Sequence, residues 1–209
     1  AGNKAVSQAE LEHDWSLLTA SHELDAIASE WDKLYQANPA HSPFQARVWV
    51  SAWLRHLAGD HELRFLAMRS KNGELRLLLP LVRTGGGVLA TDRLVLAGGY
   101  GPDCSDYLGC LFDPSITDAV PGMLAQGIRT LLPANARVEL RALSAENNVP
   151  SGLAEALPLA GRRFQCVDQF ACPRAELAAD WDAYLATLSA NFRSQVRRHY
   201  KRIRNSDEY

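Results

Sequence analysis

The chain has 209 residues, 47% of them hydrophobic and 22% charged, with a formal net charge of −2. That length can bury a sizeable core as one large domain or two small ones, and the composition is that of an ordinary globular protein. The near-balanced charge argues against a dedicated nucleic-acid binder, which needs a basic surface to meet phosphates. No apolar run approaches the about 20 residues of a membrane span, and no signal peptide is evident, so the chain reads as soluble and cytoplasmic.

Charge is distributed unevenly. Acids cluster early (Glu10, Glu12, Asp14, Glu23, Asp25, Glu30, Asp32), whereas the positive excess lies at the C-terminal end. Residues 1–14 read as a disordered or tag-derived N-terminus, residues 15–179 as one α/β (α+β) domain, and residues 180–209 as a basic amphipathic helix.

Trp15–Thr19 is a short apolar run suited to a first strand. Ser21 is placed to cap a helix reaching about Ala37, with Leu24, Ile27, Ala28, Trp31, Leu34 and Tyr35 at helical spacing. A turn with two prolines follows over Asn38–Pro43, then a second helix from about Gln45 to Leu57, ended by Gly59. The pattern then switches to strands. Glu62–Arg69 and Glu74–Arg83 flank Ser70-Lys71-Asn72-Gly73, a hairpin signal, and Pro80 in the second run marks a bulge or an edge.

The triple glycine at 85–87 gives another return, followed by a strand over 88–98 and a glycine-rich stretch, GGYGPDCSD. A strand follows over Tyr107–Asp113, a helix over Ile116–Leu132, a strand over Arg137–Leu143, a short helix over Gly152–Leu159 and a strand over Arg163–Phe170. From Asp180 onward the chain reads as one amphipathic helix. Trp181, Leu185, Leu188, Phe192, Val196 and Ile203 form its apolar stripe, to be packed on the domain. Arg193, Arg197, Lys201 and Arg204 line the other side, with Arg198 and Arg202 beside them, and no acid interrupts the stretch from Thr187 to Arg204.

Most chemical signatures are missing. Cys104 and Cys110, like Cys166 and Cys172, stand six apart with no CxxC or His-rich spacing, which favours reduced, half-buried thiols over a zinc site. Gly98-Gly99-Tyr100-Gly101 superficially resembles a phosphate loop, but Pro102-Asp103 and then a strand follow it, so a sharp turn is the simpler reading. His199 borders the apolar stripe and reads as a packing or surface histidine. Three patches are unusual, one of them Pro80-Leu81 at the end of the hairpin. Ser42-Pro43-Phe44-Gln45 leads into Trp49 and Trp53, whose spacing chiefly suggests core packing. Asp106 and Tyr107 stand at a loop-to-strand junction, where they either bind substrate and assist proton transfer or cap a turn and pack.

Read in order, SPFQARVWVSAW, the hairpin ending LPLVR, then DYLG and LSANFRSQVRRHYKRI are similar to a GNAT-fold acyltransferase family associated with bacterial cellulose and exopolysaccharide biosynthesis, distantly related to Fem-type aminoacyl transferases. The similarity runs over about residues 15–204, and its colinearity carries it more than any one motif. It implies a mostly antiparallel central sheet flanked by helices. The Ser-Pro-Phe turn falls on Ser42, Pro43 and Phe44, the tryptophan pair on Trp49 and Trp53, and the Asp-Tyr on Asp106 and Tyr107. The arginine signature falls on Leu188, Ser189, Phe192, Arg193, Arg197 and Arg198.

Family members run to nearly twice this length, with a second GNAT-like half after the arginine helix that is expected to hold the acyl-CoA. Here Ser144-Ala145-Glu146-Asn147-Asn148 follows the strand where a pyrophosphate loop of the form Arg/Gln-x-x-Gly-x-Gly/Ala is sought. The resemblance therefore implies the N-terminal half of an acetyl-CoA- or acyl-CoA-dependent N-acyltransferase, with no cofactor site of its own and little activity alone. Asp106, Tyr107, Arg193, Arg197 and Arg198 become candidates for binding a small-molecule, saccharide or amine acceptor, and the missing half becomes a partner. The alternative is a non-catalytic scaffold whose basic helix docks on an acidic partner.

Overall fold

The computed structural model describes residues 13–38, 41–84, 92–99, 105–141, 143, 149–161, 163, 165 and 177–205. The chain divides into two units, residues 1–166 and 167–209.

The first unit opens with β1 (Asp14–Leu18), α1 (Ser21–Ala26) and α2 (Ala28–Ala37), then a 3-10 turn (Pro43–Gln45) and α3 (Arg47–His56). Strands β2 (Glu62–Leu63), β3 (Phe65–Arg69), β4 (Leu75–Leu79), β5 (Leu81–Thr84), β6 (Arg93–Leu96) and β7 (Leu111–Phe112) follow. A second 3-10 turn (Pro114–Ala119) leads to α4 (Val120–Leu131), β8 (Arg137–Glu139) and α5 (Val149–Leu159). The architecture is mixed α+β, as the sequence suggests, but the strands form two four-stranded sheets rather than one, ordered β1-β3-β4-β7 and β2-β5-β6-β8. Every pairing is antiparallel except β6 with β8.

The expected hairpin is what joins them. Its turn closes through Gly73, whose φ of 81° suits glycine. The β3–β4 part belongs to one sheet and the β2–β5 part to the other. The change of sheet occurs at Arg64 on one arm and Pro80 on the other. Pro80 lacks an N–H for a ladder, and here it needs only its carbonyl, which accepts from Ala97 at 2.8 Å.

Both faces of these strands are covered, which explains a run such as Leu77-Leu78-Leu79 with no polar alternation. Leu66, Met68, Leu77, Leu79, Leu81, Leu94 and Leu96 pack with Val120, Leu124 and Ile128 of α4 and Leu153 of α5. The alternate residues Phe65, Ala67, Leu78, Val82 and Val95 pack with Leu24, Trp31, Leu34, Val50 and Trp53 of α1–α3. Each fully buried leucine contributes about 1.5–3 kcal/mol by leaving water, so this double coverage dominates stability.

Several sequence expectations need correction. The first helix is broken at Ile27 into α1 and α2. Ser21 lies inside its first turn, and the capping is done instead by Glu23, whose Oε2 accepts from the backbone of Thr19 and Ala20 at 2.7 and 2.9 Å. The helix expected over 116–132 begins as a 3-10 turn and becomes α-helical only at Val120, next to Pro121 in its first turn. Cys110 is buried rather than half-buried; Cys104, Cys166 and Cys172, the glycines at 85–87 and most of the expected 163–170 strand lie outside the described residues.

In the second unit the expected single helix is two: α6 (Trp181–Thr187) and α7 (Ala190–Arg204). Leu188 is extended, and Ser189 starts α7 by accepting from Phe192 N–H at 3.4 Å, a role serine favours over a place inside a helix. Asp180 caps α6 through Ala183 N–H at 2.8 Å. Among the described residues, no helix is long and apolar enough to cross a membrane.

Candidate acceptor-binding site

Ser42 introduces the 3-10 turn, and Gln45 at its end is buried. Gln45 Oε1 accepts from Ser42 N–H at 2.8 Å, and its Nε2 donates to the carbonyl of Cys110 at 3.3 Å. Its own carbonyl accepts from Trp31 Nε1 at 3.2 Å. One glutamine thus fixes the Ser-Pro-Phe turn to α2 and to the segment entering β7. The Ser42 hydroxyl, in contrast, is buried without a hydrogen bond.

The turn delivers α3, where the two tryptophans separate. Trp53 is in the core, edge-to-face with His61. Trp49 is 41% exposed and donates its Nε1–H to Ser105 Oγ at 3.0 Å, while its ring meets Phe44 edge-on at 5.2 Å. The core-packing reading therefore holds for Trp53 and fails for Trp49, which stands at the surface where the glycine-rich stretch returns.

Gly98 has φ of 84°, and its carbonyl accepts from Ser105 N–H at 2.7 Å. No helix begins among the described residues that follow, from Ser105 to β7. Asp106 and Tyr107 come next, both exposed, Tyr107 with φ of 51°. Leu108 then returns to the core and bridges Leu143.

The arginine candidates belong to the second unit. Arg193 donates from Nη2 to the carbonyls of Leu188 and Ala186 at 2.9 and 3.2 Å, closing the C-terminal end of α6. Arg197 and Arg198 are exposed, as is His199, and no residue of α7 is buried. The Asp106–Tyr107 pair and the arginines thus sit in separate units. The tethering roles of Ser105 and Gln45 escaped the sequence reading, because nothing local distinguishes a serine or glutamine that bonds to a residue more than fifty positions away.

Among the described residues, no group of three or more His, Cys, Asp or Glu is placed to hold a metal ion. At the start of the segment between β8 and α5, Arg141 is paired with Glu139 at 3.2 Å.

No protein-family model matches the chain, and no curated protein sequence matches it. Solved structures that resemble it distantly include the following two. The aminoglycoside 6'-N-acetyltransferase AAC(6')-Ih from Acinetobacter baumannii is 13% identical with a TM-score of 0.42, covering 79% of this chain and 100% of that one. A protein described as a "possible acetyltransferase" from Clostridium difficile 630 is 11% identical with a TM-score of 0.43, covering 78% of this chain and 98% of that one. Likeness at this level assigns no activity.

Proposed function

We propose that this chain is the N-terminal, GNAT-like part of an acyl-CoA-dependent N-acyltransferase acting in cytoplasmic steps of exopolysaccharide or cell-envelope biosynthesis. Its contribution is the surface that binds the acceptor. One observation carries the reading: two of the colinear motifs behind the family resemblance converge. Gln45 of the Ser-Pro-Phe turn holds Cys110, Trp49 holds Ser105, and Asp106 and Tyr107 project between those two anchors.

Acyl transfer to an amine requires the acceptor to be held, deprotonated and presented to the thioester carbonyl. Asp106 supplies a carboxylate for the amine and the aromatic rings supply the holding surface. The acyl group and its coenzyme belong to a second GNAT-like half, reached through α7. Calorimetric titration with acetyl-CoA tests this division: the present chain should show no stoichiometric binding, whereas the longer gene product should bind and transfer acyl groups. Tight binding by the present chain alone refutes it.

The exposure of α7 favours a second reading. Arg197, Arg198, Lys201, Arg202 and Arg204 are exposed and make no ion pair with a described residue, which suits a scaffold helix docking on an acidic partner. Affinity falling steeply with rising salt would support that reading, since each phosphate contact releases counterions.

A further inference from the structure

Two exposed residues stand between two held ones. Ser105 is 4% exposed and held twice, by Gly98 through its backbone and by Trp49 through its hydroxyl. Leu108 is 5% exposed, in the core. Between these anchors only Asp106 and Tyr107 reach solvent. Tyr107 is the one non-glycine residue with positive φ among those described, and 46% of it is exposed. A turn alone would be made more cheaply by glycine or asparagine. Strain of this kind persists where surrounding structure imposes it, and it clusters at ligand sites.

Trp49 complements it. Its single N–H is already spent on Ser105, so the indole offers a ligand only its apolar face and edge. Consecutive Cα atoms are about 3.8 Å apart, which keeps Tyr107 within about 8 Å of the residue that holds Trp49. Asp106 lies between, with no ion pair to any described residue. Two aromatic residues near a carboxylate that has no ion pair among the described residues suit a ligand with an apolar ring face and a positive charge. A phosphorylated ligand would be repelled by Asp106, and a neutral sugar would offer that carboxylate hydroxyl hydrogen bonds but no opposite charge.

We infer that Trp49, Asp106 and Tyr107 bind an amine-bearing sugar, its C–H face against the aromatic rings and its ammonium against Asp106. This rests on the acceptor-binding role proposed above and names the acceptor's class.

The test is titration of the chain with a short glucosamine oligosaccharide, with free glucosamine and with the fully N-acetylated oligosaccharide, followed by calorimetry and by the indole N–H resonances. Saturable binding of the amine forms is expected, at least tenfold tighter than the N-acetylated form; a tighter oligomer than monomer identifies a glycan chain as the source. Asp106→Asn should abolish that preference. Tyr107→Gly should weaken binding at least tenfold while leaving the melting temperature unchanged or higher, which separates recognition from folding. Absence of saturable binding, equal affinity for the N-acetylated oligomer, or indifference to both substitutions overturns the inference. No coenzyme is present, so the two proposals fail separately. Amino-sugar binding without acyl transfer by the longer gene product sinks only the enzyme reading, and acyl transfer to another acceptor without such binding sinks only this one.

Discussion

Glu30 and Arg69 meet in a two-pronged ion pair, Nη1 and Nη2 of the arginine donating to Oε1 and Oε2 of the glutamate over 2.7 and 2.8 Å. Glu30 Oε1 also accepts from Leu75 N–H at 3.3 Å, so one carboxylate ties α2 to both arms of the β3–β4 hairpin.

This pair predicts an acid-sensitive share of stability. The hydrogen bond from Arg69 holds the Glu30 carboxyl below its ordinary value of 4.5, against an opposing effect of desolvation. A carboxyl depressed in the folded state stabilises above its unfolded pKa, and that stability is lost as pH falls through the folded value. Glu30→Gln should therefore cost about 1 kcal/mol at pH 7, a modest figure because both side chains are about a third exposed. The difference from wild type should vanish in strong acid. Urea unfolding at pH 7, 5 and 3 checks it, and a pH-independent difference would contradict it.

Gln45 predicts a larger loss. Gln45→Leu strips partners from Ser42 N–H and the Cys110 carbonyl within a buried setting, which should cost about 2–4 kcal/mol at about 1–3 kcal/mol per orphaned group. Chemical denaturation measures it. Trp31 should be unaffected, because its indole bonds to the Gln45 backbone.

Two glycines of α4 should respond with opposite signs to alanine. A Cβ at Gly127 would lie 2.6 Å from Cζ3 of Trp15, so Gly127→Ala should destabilise by about 1–3 kcal/mol through overpacking. At Gly122 nothing lies within 4 Å, so Gly122→Ala should stabilise by up to about 1 kcal/mol through helix propensity. Thermal melts of the two variants side by side decide the matter.

Burial pushes the Cys110 thiol up to about 12. Only the thiolate reacts with alkylating reagents, so Cys110 should resist iodoacetamide at pH 8 in the native state and react once denatured. Peptide mapping by mass spectrometry reads this directly, and rapid native labelling would contradict the packing around β7.

The strands were legible because Leu, Val and Phe runs bounded by Asn-Gly or Pro have few alternatives, and the first unit's helices because their apolar spacing is regular. What escaped was set by distant neighbours. The division of one hairpin between two sheets depends on which strands pair outside it, and no local signal at Arg64 reports that. The Leu188–Ser189 break was hidden by an apolar stripe that continues through it. At the candidate site, Asp106 and Tyr107 could be singled out as open to function, whereas the exposure of Trp49 depends on Ser105, fifty-six residues away.

Because one antiparallel ribbon runs from β2 and β3 through the Gly73 turn to β4 and β5, each sheet owns half of the other's scaffold. Neither can be melted, excised or transplanted while its companion stays intact. Amides of Leu66 and Val82, though in different sheets, should therefore exchange with deuterium through the same global opening, with similar protection.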